Sequence, residues 1–303
     1  MVGIVVVDKP SGWTSHDVVA KLRGVFKLKR IGHGGTLDPM ATGVLPVFVG
    51  RATRAAEFCE NADKEYVAGI KLGVVTDTQD TTGNVISVCG HGVSAEDISK
   101  TIPMFLYSQK QVPPMYSAVK IGGKKLYEIA RRGETVERAA RDVFISELEL
   151  LPGGCDSQFV NHNSQIEADE YLLRIVCSKG TYVRTLCHDI GAALGCGAAM
   201  SYLRRTRAGA FSLSMAHTLD EIIDAVSSGD LDRVVLPLDM IFSDLPAITL
   251  DDAGMRKCLN GAAYHVDARI EDGSRHRVYA PDGGFLALGE AGNGEIRTVK
   301  SFF

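Results

Sequence analysis

The stretch Gly32–Val47, "GHGGTLDPMATGVLPV", decides how the rest of the chain is read. Four glycines, two prolines and a row of small or apolar side chains surround one carboxylate, Asp38, braced by Leu37 and Pro39. The stretch is not G-x-G-x-x-G, carries no GK[ST], and has a proline where a phosphate-cradling helix would begin. No second acid or His stands at ligand spacing from Asp38, so no metal site is expected. A glycosidase needs paired carboxylates, and the sequence nominates no partner. Taken alone, Asp38 reads as a turn residue before proline and His33 as a polar loop group.

Working outward, "GIVVVDKP" reads as a short buried strand ended by Pro10. "TSHDVVAKLRGVFK" reads as a helix with Ser15 as N-cap and Val18, Val19, Leu22, Val25 and Phe26 on one face. "EYVAGIKLG" alternates Tyr66, Ala68, Ile70 and Leu72 along one face of a strand. Ser94 caps a helix reaching about Tyr107, and "KKLYEIARRG" is a helix closed by Gly133. "VFISELELL" and "YLLRIVC" are strands flanking a polar loop, Pro152–Glu170; "TYVRTLCHDIGAALG" and "TLDEIIDAV" are helices. Near 243–247 the texture changes to short strands with turns such as "EDGS" and "PDGG", marking a small β-rich domain over 244–303.

The 303 residues carry a net charge of −4, unevenly spread. Asp142–Glu170 and Asp220–Asp244 are acidic, whereas Lys21–Arg30, Lys120–Arg141 and "LRRTR" (203–207) are basic. A polyanion responds to such local fields rather than to the total. The seven cysteines are odd in number and form no CxxC pair, which points to free thiols in the cytoplasm and not to zinc or disulfides. No apolar run is long enough to span a membrane, and "MVGIVVVDKP" does not read as a secretory signal.

Five blocks in order resemble the TruB family of pseudouridine synthases, which isomerise uridine 55 in the TΨC loop of tRNA. They are "DKPSGWTSHDVV" (8–19), the Asp38 stretch, "KEYVAGIKLGVVTDTQDTTG" (64–83), "PPMYSAVKIGGKKLYEIARRGETVERAAR" (113–141) and "CSKGTYVRTLCHDIGAALGCGAAMSYLRRTRAGAF" (177–211). Two positions depart from the commoner pattern, Gly34 where Thr is usual and Ala208 where Ser or Val is frequent.

The resemblance implies an α+β catalytic domain over 1–243, built on a mixed, largely antiparallel sheet flanked by helices. It implies an RNA-gripping insertion at about 120–141 and a PUA-like module over 244–303. By the same resemblance Asp38 is the nucleophile, Arg184 its ionic partner, and Tyr66 a stacking residue and general base. His33, Tyr182, Leu203 and Lys9 become substrate or RNA contacts, Lys9 in a structural or phosphate-binding role. Without the resemblance, Arg184 reads as a helix-surface residue. Attack at C1′, addition to C6 and abstraction of the 2′ proton all stay open as the role of the carboxylate.

The expected protein is a cofactor-free, cytoplasmic monomer acting on the T-arm of tRNA with no obligatory protein partner. The alternatives are a guide-dependent relative, an RNA chaperone without catalysis, and a glycosidase; the insertion at 120–141 favours the stand-alone enzyme over the guide-dependent one.

Overall fold

The computed structural model describes residues 2–152, 170–265 and 270–303, so nearly all of the polar stretch expected as a loop between Pro152 and Glu170 lies outside the described residues. Strand β1 (Gly3–Lys9) and strand β3 (Thr42–Val49) pair antiparallel from Gly3↔Val49 to Lys9↔Gly43, and β2 (Ile31–His33) pairs with β3. Neither β1 nor β3 has a polar face, because both are covered on two sides. Val5, Val7, Leu45 and Val47 join one core, while Ile4, Val6, Val44 and Phe48 join another.

Helix α1 (Ser15–Phe26) is capped by Thr14, not by Ser15 as expected: the Thr14 hydroxyl and the Asp17 carboxylate form a reciprocal capping box. That frees Ser15, which is buried and whose hydroxyl accepts from the Leu37 amide at 2.9 Å, tying α1 to the turn that carries Asp38.

After a 3-10 stretch (Gly50–Ala55) and the short helix α2 (Ala56–Asn61), strand β4 (Lys64–Leu72) enters the middle of the sheet. The hairpin β5 (Val74–Thr76) and β6 (Val85–Val88) follows. Helix α3 (Ala95–Thr101) is capped by Ser94 as expected but stops short of Tyr107, since Pro103 turns the chain into a 3-10 segment (Ile102–Phe105) before β7 (Tyr107–Gln111). The hairpin β8 (Lys120–Ile121) and β9 (Lys124–Lys125) leads into helix α4 (Leu126–Ala130). This insertion folds around a core of its own, Met115, Leu126 and Ile129.

Strands β10 (Arg141–Leu150) and β11 (Glu170–Cys177), helix α5 (Val183–Ala193), strands β12 (Ala198–Ala208) and β13 (Phe211–Ser212), and helix α6 (Leu219–Ser228) complete this part. The nine-stranded sheet has the order β1-β3-β12-β4-β11-β10-β7, with β2 on β3 and β13 on β12. Its pairings are antiparallel except β12 with β3, which run parallel at Arg204↔Thr42 and Arg205↔Gly43. The expected mixed, largely antiparallel sheet flanked by helices is therefore present.

Beyond it, β14 (Ala247–Thr249), α7 (Asp252–Leu259), β15 (Tyr264–His265), β16 (Arg275–Tyr279), β17 (Phe285–Gly292) and β18 (Glu295–Ser301) build a five-stranded sheet over Tyr264, Val278 and Ile296. The two sheets share hydrophobic material. Leu288 and Phe302 are buried in the same cluster as Ile4, Val6 and Phe48, with Phe242 between them. The Arg54 guanidinium donates to the carbonyls of Ser301 and Phe303, and Lys300 pairs with Glu57.

Candidate active site

The turn bearing Asp38 is held from three directions. Lys9, completely buried, donates from Nζ to the carbonyls of Pro10, Trp13 and Pro39 at 2.8, 2.6 and 3.2 Å. Ser15 fixes Leu37 from α1, and the Gly34 amide donates to the Pro46 carbonyl. Burial pulls the Lys9 ammonium down to about 8, against the opposing pull of the Asp38 and Asp17 carboxylates. All three Lys9 hydrogen bonds go to the main chain around the Asp38 turn, which is the geometry of the structural role expected for it. Gly34 is packed too closely for the commoner Thr, since a Cβ there would lie 2.7 Å from Phe48 and 2.9 Å from Cys59.

Asp38 stands at the floor of a cleft of about 780 Å³ lined in part by Tyr66, Tyr182, Arg184, Leu203 and Arg205. Arg184 meets it with a fork: Nε lies 3.0 Å from Oδ2 and Nη2 3.4 Å from Oδ1. Arg184 is not the surface residue its helical setting suggests. It sits in the first turn of α5 with 7% of its side chain exposed, because that turn faces the cleft. The remaining donors are also engaged: Nη1 reaches the Thr78 carbonyl and Asp80 Oδ2, and Nη2 reaches the Tyr116 carbonyl of the insertion. A planar guanidinium serves all of these at once; an ammonium could not.

Asp80 was not nominated by the sequence. It is buried, and its Oδ1 accepts from the hydroxyls of Thr78 and Thr82 and from the Thr82 amide, which leaves Oδ2 for Arg184. The signal available was the run of threonines around the second of two acids in "TDTQDTTG" (76–83). Two acids thus flank one cation. Burial pushes the Asp38 carboxyl above the ordinary range; Arg184 opposes that shift and Asp80 adds to it.

Tyr66 lies half-buried on β4, directly across from Arg205 on β12. Burial raises its phenol, and the Arg205 charge and hydrogen bond pull the other way. Tyr182 is the N-cap residue of α5, and its backbone amide and carbonyl are both held by the Gln111 side chain, at 2.8 and 3.0 Å. Gln111, on the edge strand, is a second positioning residue that sequence reasoning missed. Leu203 is buried on β12 and lines the cleft.

His33 stands beside the cleft with its ring edge against His16, which lines it, at 5.4 Å between centroids. Burial, His16 and Arg205 hold His33 down to about 4, so it is neutral at physiological pH, and its Nδ1 has no partner. The basic cluster at 203–207 is also not what composition suggested: Arg204 and Arg205 are buried, Arg204 paired with Asp8 at 2.8 Å. From the insertion, Lys125 and Arg131 both approach the Tyr127 ring at 5.4 Å, and all three line the cleft. Among the described residues no three His, Cys, Asp or Glu side chains converge as a metal site.

One carboxylate gripped by a buried guanidinium therefore shares a cleft with a tyrosine, on a mixed, largely antiparallel sheet. Residues 23–183 match the family described as TruB family pseudouridylate synthase (N terminal domain), and 184–243 match the tRNA pseudouridylate synthase B C-terminal domain. The chain belongs to the TruB family.

It is 44% identical over 300 residues to tRNA pseudouridine synthase B of Syntrophomonas wolfei, covering 99% of this chain and 96% of that protein. It is 39% identical over 291 residues to the protein of the same name from Bacillus subtilis, covering 94% and 92%. Among solved structures, a chain of a Cbf5-Nop10-Gar1 complex superposes with a TM-score of 0.72 at 29% identity, over 99% of this chain and 85% of that one.

Proposed function

We propose that the chain converts uridine 55 in the TΨC loop of tRNA to pseudouridine, with Asp38 as the group that opens the glycosidic bond. The observation that carries this reading is the forked Arg184–Asp38 pair at the floor of the cleft, in a member of the TruB family. The reaction breaks C1′–N1, forms C1′–C5, removes the proton from C5 and leaves one on N1, so no atom is gained or lost. Chemistry at C1′ and C5 requires the uridine to leave its stack. In this reading the ring enters beside Tyr66, Tyr182 and Leu203, with the neutral imidazole of His33 against the vacated loop. Arg184 orients the carboxylate and favours its ionised form, and Tyr66 takes the C5 proton.

The insertion with Lys125 and Arg131 grips the T-arm, and the five-stranded C-terminal sheet, as a PUA-like domain over 244–303, meets the acceptor stem. The enzyme acts as a cytoplasmic monomer without a bound cofactor. The 44% identity to a tRNA pseudouridine synthase B, against 29% to the Cbf5 chain, favours action without guide RNA.

The test is tritium release from a tRNA transcript carrying [5-³H]uridine, with no guide RNA or second protein added. One label per tRNA, mapped to the TΨC loop and lost with Asp38→Asn, is the expected result. Retained tRNA binding with no release would overturn the proposal.

A further inference from the structure

Arg205 is the bulkiest of the fully buried side chains, and no ion pair among the described residues includes it. Taking a guanidinium out of water without a carboxylate partner carries a desolvation penalty, so its burial calls for a reason. Its hydrogen bonds supply one. Nε donates to the Val44 carbonyl at 2.7 Å and Nη2 to the Gly35 carbonyl at 3.1 Å, and Arg205 stands directly across the β4–β12 pair from Tyr66, both lining the cleft.

Three parts of the site therefore meet on one side chain: strand β3, the turn that carries Asp38, and the phenol across the strand pair. The neighbouring backbone is glycine at two positions: Gly43 has φ +97 and a Cβ there would collide with the Arg205 main chain, and Gly35 has φ +119, where a Cβ would lie 3.6 Å from Nη1. The charged and titratable groups that influence Tyr66 are Arg205 on β12, Cys177 on β11 and Asp38 on the turn.

We propose that Arg205 is a positioning residue acting through Tyr66: its guanidinium aims the phenol oxygen into the cleft and stabilises the phenolate that accepts the C5 proton. The inference rests on the reading of Tyr66 as the C5 base. The phenolate oxygen takes the proton, the C–H electron pair restores the C5=C6 double bond, and the phenol returns the proton to water. Arg205 keeps its own protons throughout.

The experiment is single-turnover conversion of tRNA against pH for the wild type, Arg205→Lys, Tyr66→Phe and the double variant, with tRNA Kd measured for each. Arg205→Lys is expected to slow conversion at least ~10-fold with Kd changed less than ~3-fold, and to move the rising limb to higher pH, because a single ammonium lacks the planar fork that holds the Val44 and Gly35 carbonyls and faces the phenol at the same time. In the Tyr66→Phe background the same substitution is expected to change the rate less than ~3-fold. Replacing Tyr66 by 3-fluorotyrosine, a more acidic phenol, is expected to restore part of the Arg205→Lys rate.

Losses that multiply in the double variant, or an unshifted limb with no rescue, would overturn the proposal while leaving Tyr66 as the base. Tyr66→Phe at the wild-type rate would overturn both. Should Arg205→Lys not fold, the side-chain ¹⁵N resonances of Arg205 decide the matter: they are expected to titrate with the phenol in the wild type and not in Tyr66→Phe. Resonances indifferent to Tyr66 would refute the coupling.

Discussion

Removing the cation between Asp38 and Asp80 tests the charge arrangement directly. Arg184→Met keeps most of the side-chain volume and deletes the guanidinium, leaving two carboxylates without a counter-charge and the carbonyls of Thr78 and Tyr116 without a donor. Breaking a buried pair costs about 3–5 kcal/mol. The Asp38 side chain is 37% exposed and water screens part of its share, whereas Asp80 is only 7% exposed, so the lower end, about 3 kcal/mol, is expected.

At roughly 2–4 °C per kcal/mol the melting temperature falls by about 6–12 °C, read by circular dichroism. Adding Asp80→Asn to this variant should raise the melting temperature again, because it neutralises the buried orphan while Thr78 and Thr82 still bond the amide oxygen. In the wild type the same substitution should lower it, as it removes a charge-assisted bond. Conversion should stay absent in both Arg184→Met proteins. Lowering the pH from 7 toward 5 should narrow the gap to wild type, since the Asp38 carboxyl, raised by burial and now without Arg184 to oppose that shift, protonates. Asp80→Asn lowering stability equally with and without Arg184 would refute the charge argument.

Other consequences are independent of that pair. Because the Asp38 carboxyl is raised above the ordinary aspartate value of 3.8, single-turnover conversion should fall on the acid side as the pH drops through that raised value; a flat rate down to about pH 4, near the unperturbed range, would contradict it. Gly43→Ala, at φ +97 and against the Arg205 backbone, should cost at least ~2 kcal/mol, from strain plus collision, measured by urea denaturation. His33, held down to about 4, should show no titration of its ring protons by NMR between pH 5.5 and 8, the range in which an ordinary histidine ionises. Affinity for tRNA should fall steeply with salt despite the net charge of −4, because phosphate contacts release counterions; a salt-independent Kd would count against the basic insertion as the grip.

The residues the sequence yields most readily are those whose role is local. Asp38 stands out among glycines and prolines, and period-two alternation places Tyr66 on a strand face, as the structure has it. Arg184 was legible only through the family resemblance, since a helical arginine ordinarily faces water and nothing local says that the first turn of α5 points inward. Asp80 was legible only as an acid among threonines, and Gln111 not at all. Each comes from a segment that reaches the site through long-range sheet pairing, and their partners, Arg184 and the Tyr182 backbone, lie far along the chain.

The run "LRRTR" misled for a related reason. Charge within a strand normally marks a solvated face, but β12 has neighbours on both edges and bulges in its pairing with β4, which turn Arg204 and Arg205 toward internal partners. Thr14 took the cap from Ser15 because only its position closes the box with Asp17.

The cluster in which Phe242, Phe285 and Phe302 stack against the underside of β1 and β3 bears on how the protein tolerates shortening. A module hung on a linker can be clipped away and leave its neighbour intact. Here Leu288 and Phe302 are buried in one hydrophobic cluster with Ile4, Val6 and Phe48. Cutting the chain after residue 246 would strip that packing and open apolar surface behind the strand that carries Gly43 and Val44. The fragment's first failure should therefore be aggregation, before any change in which RNA it recognises.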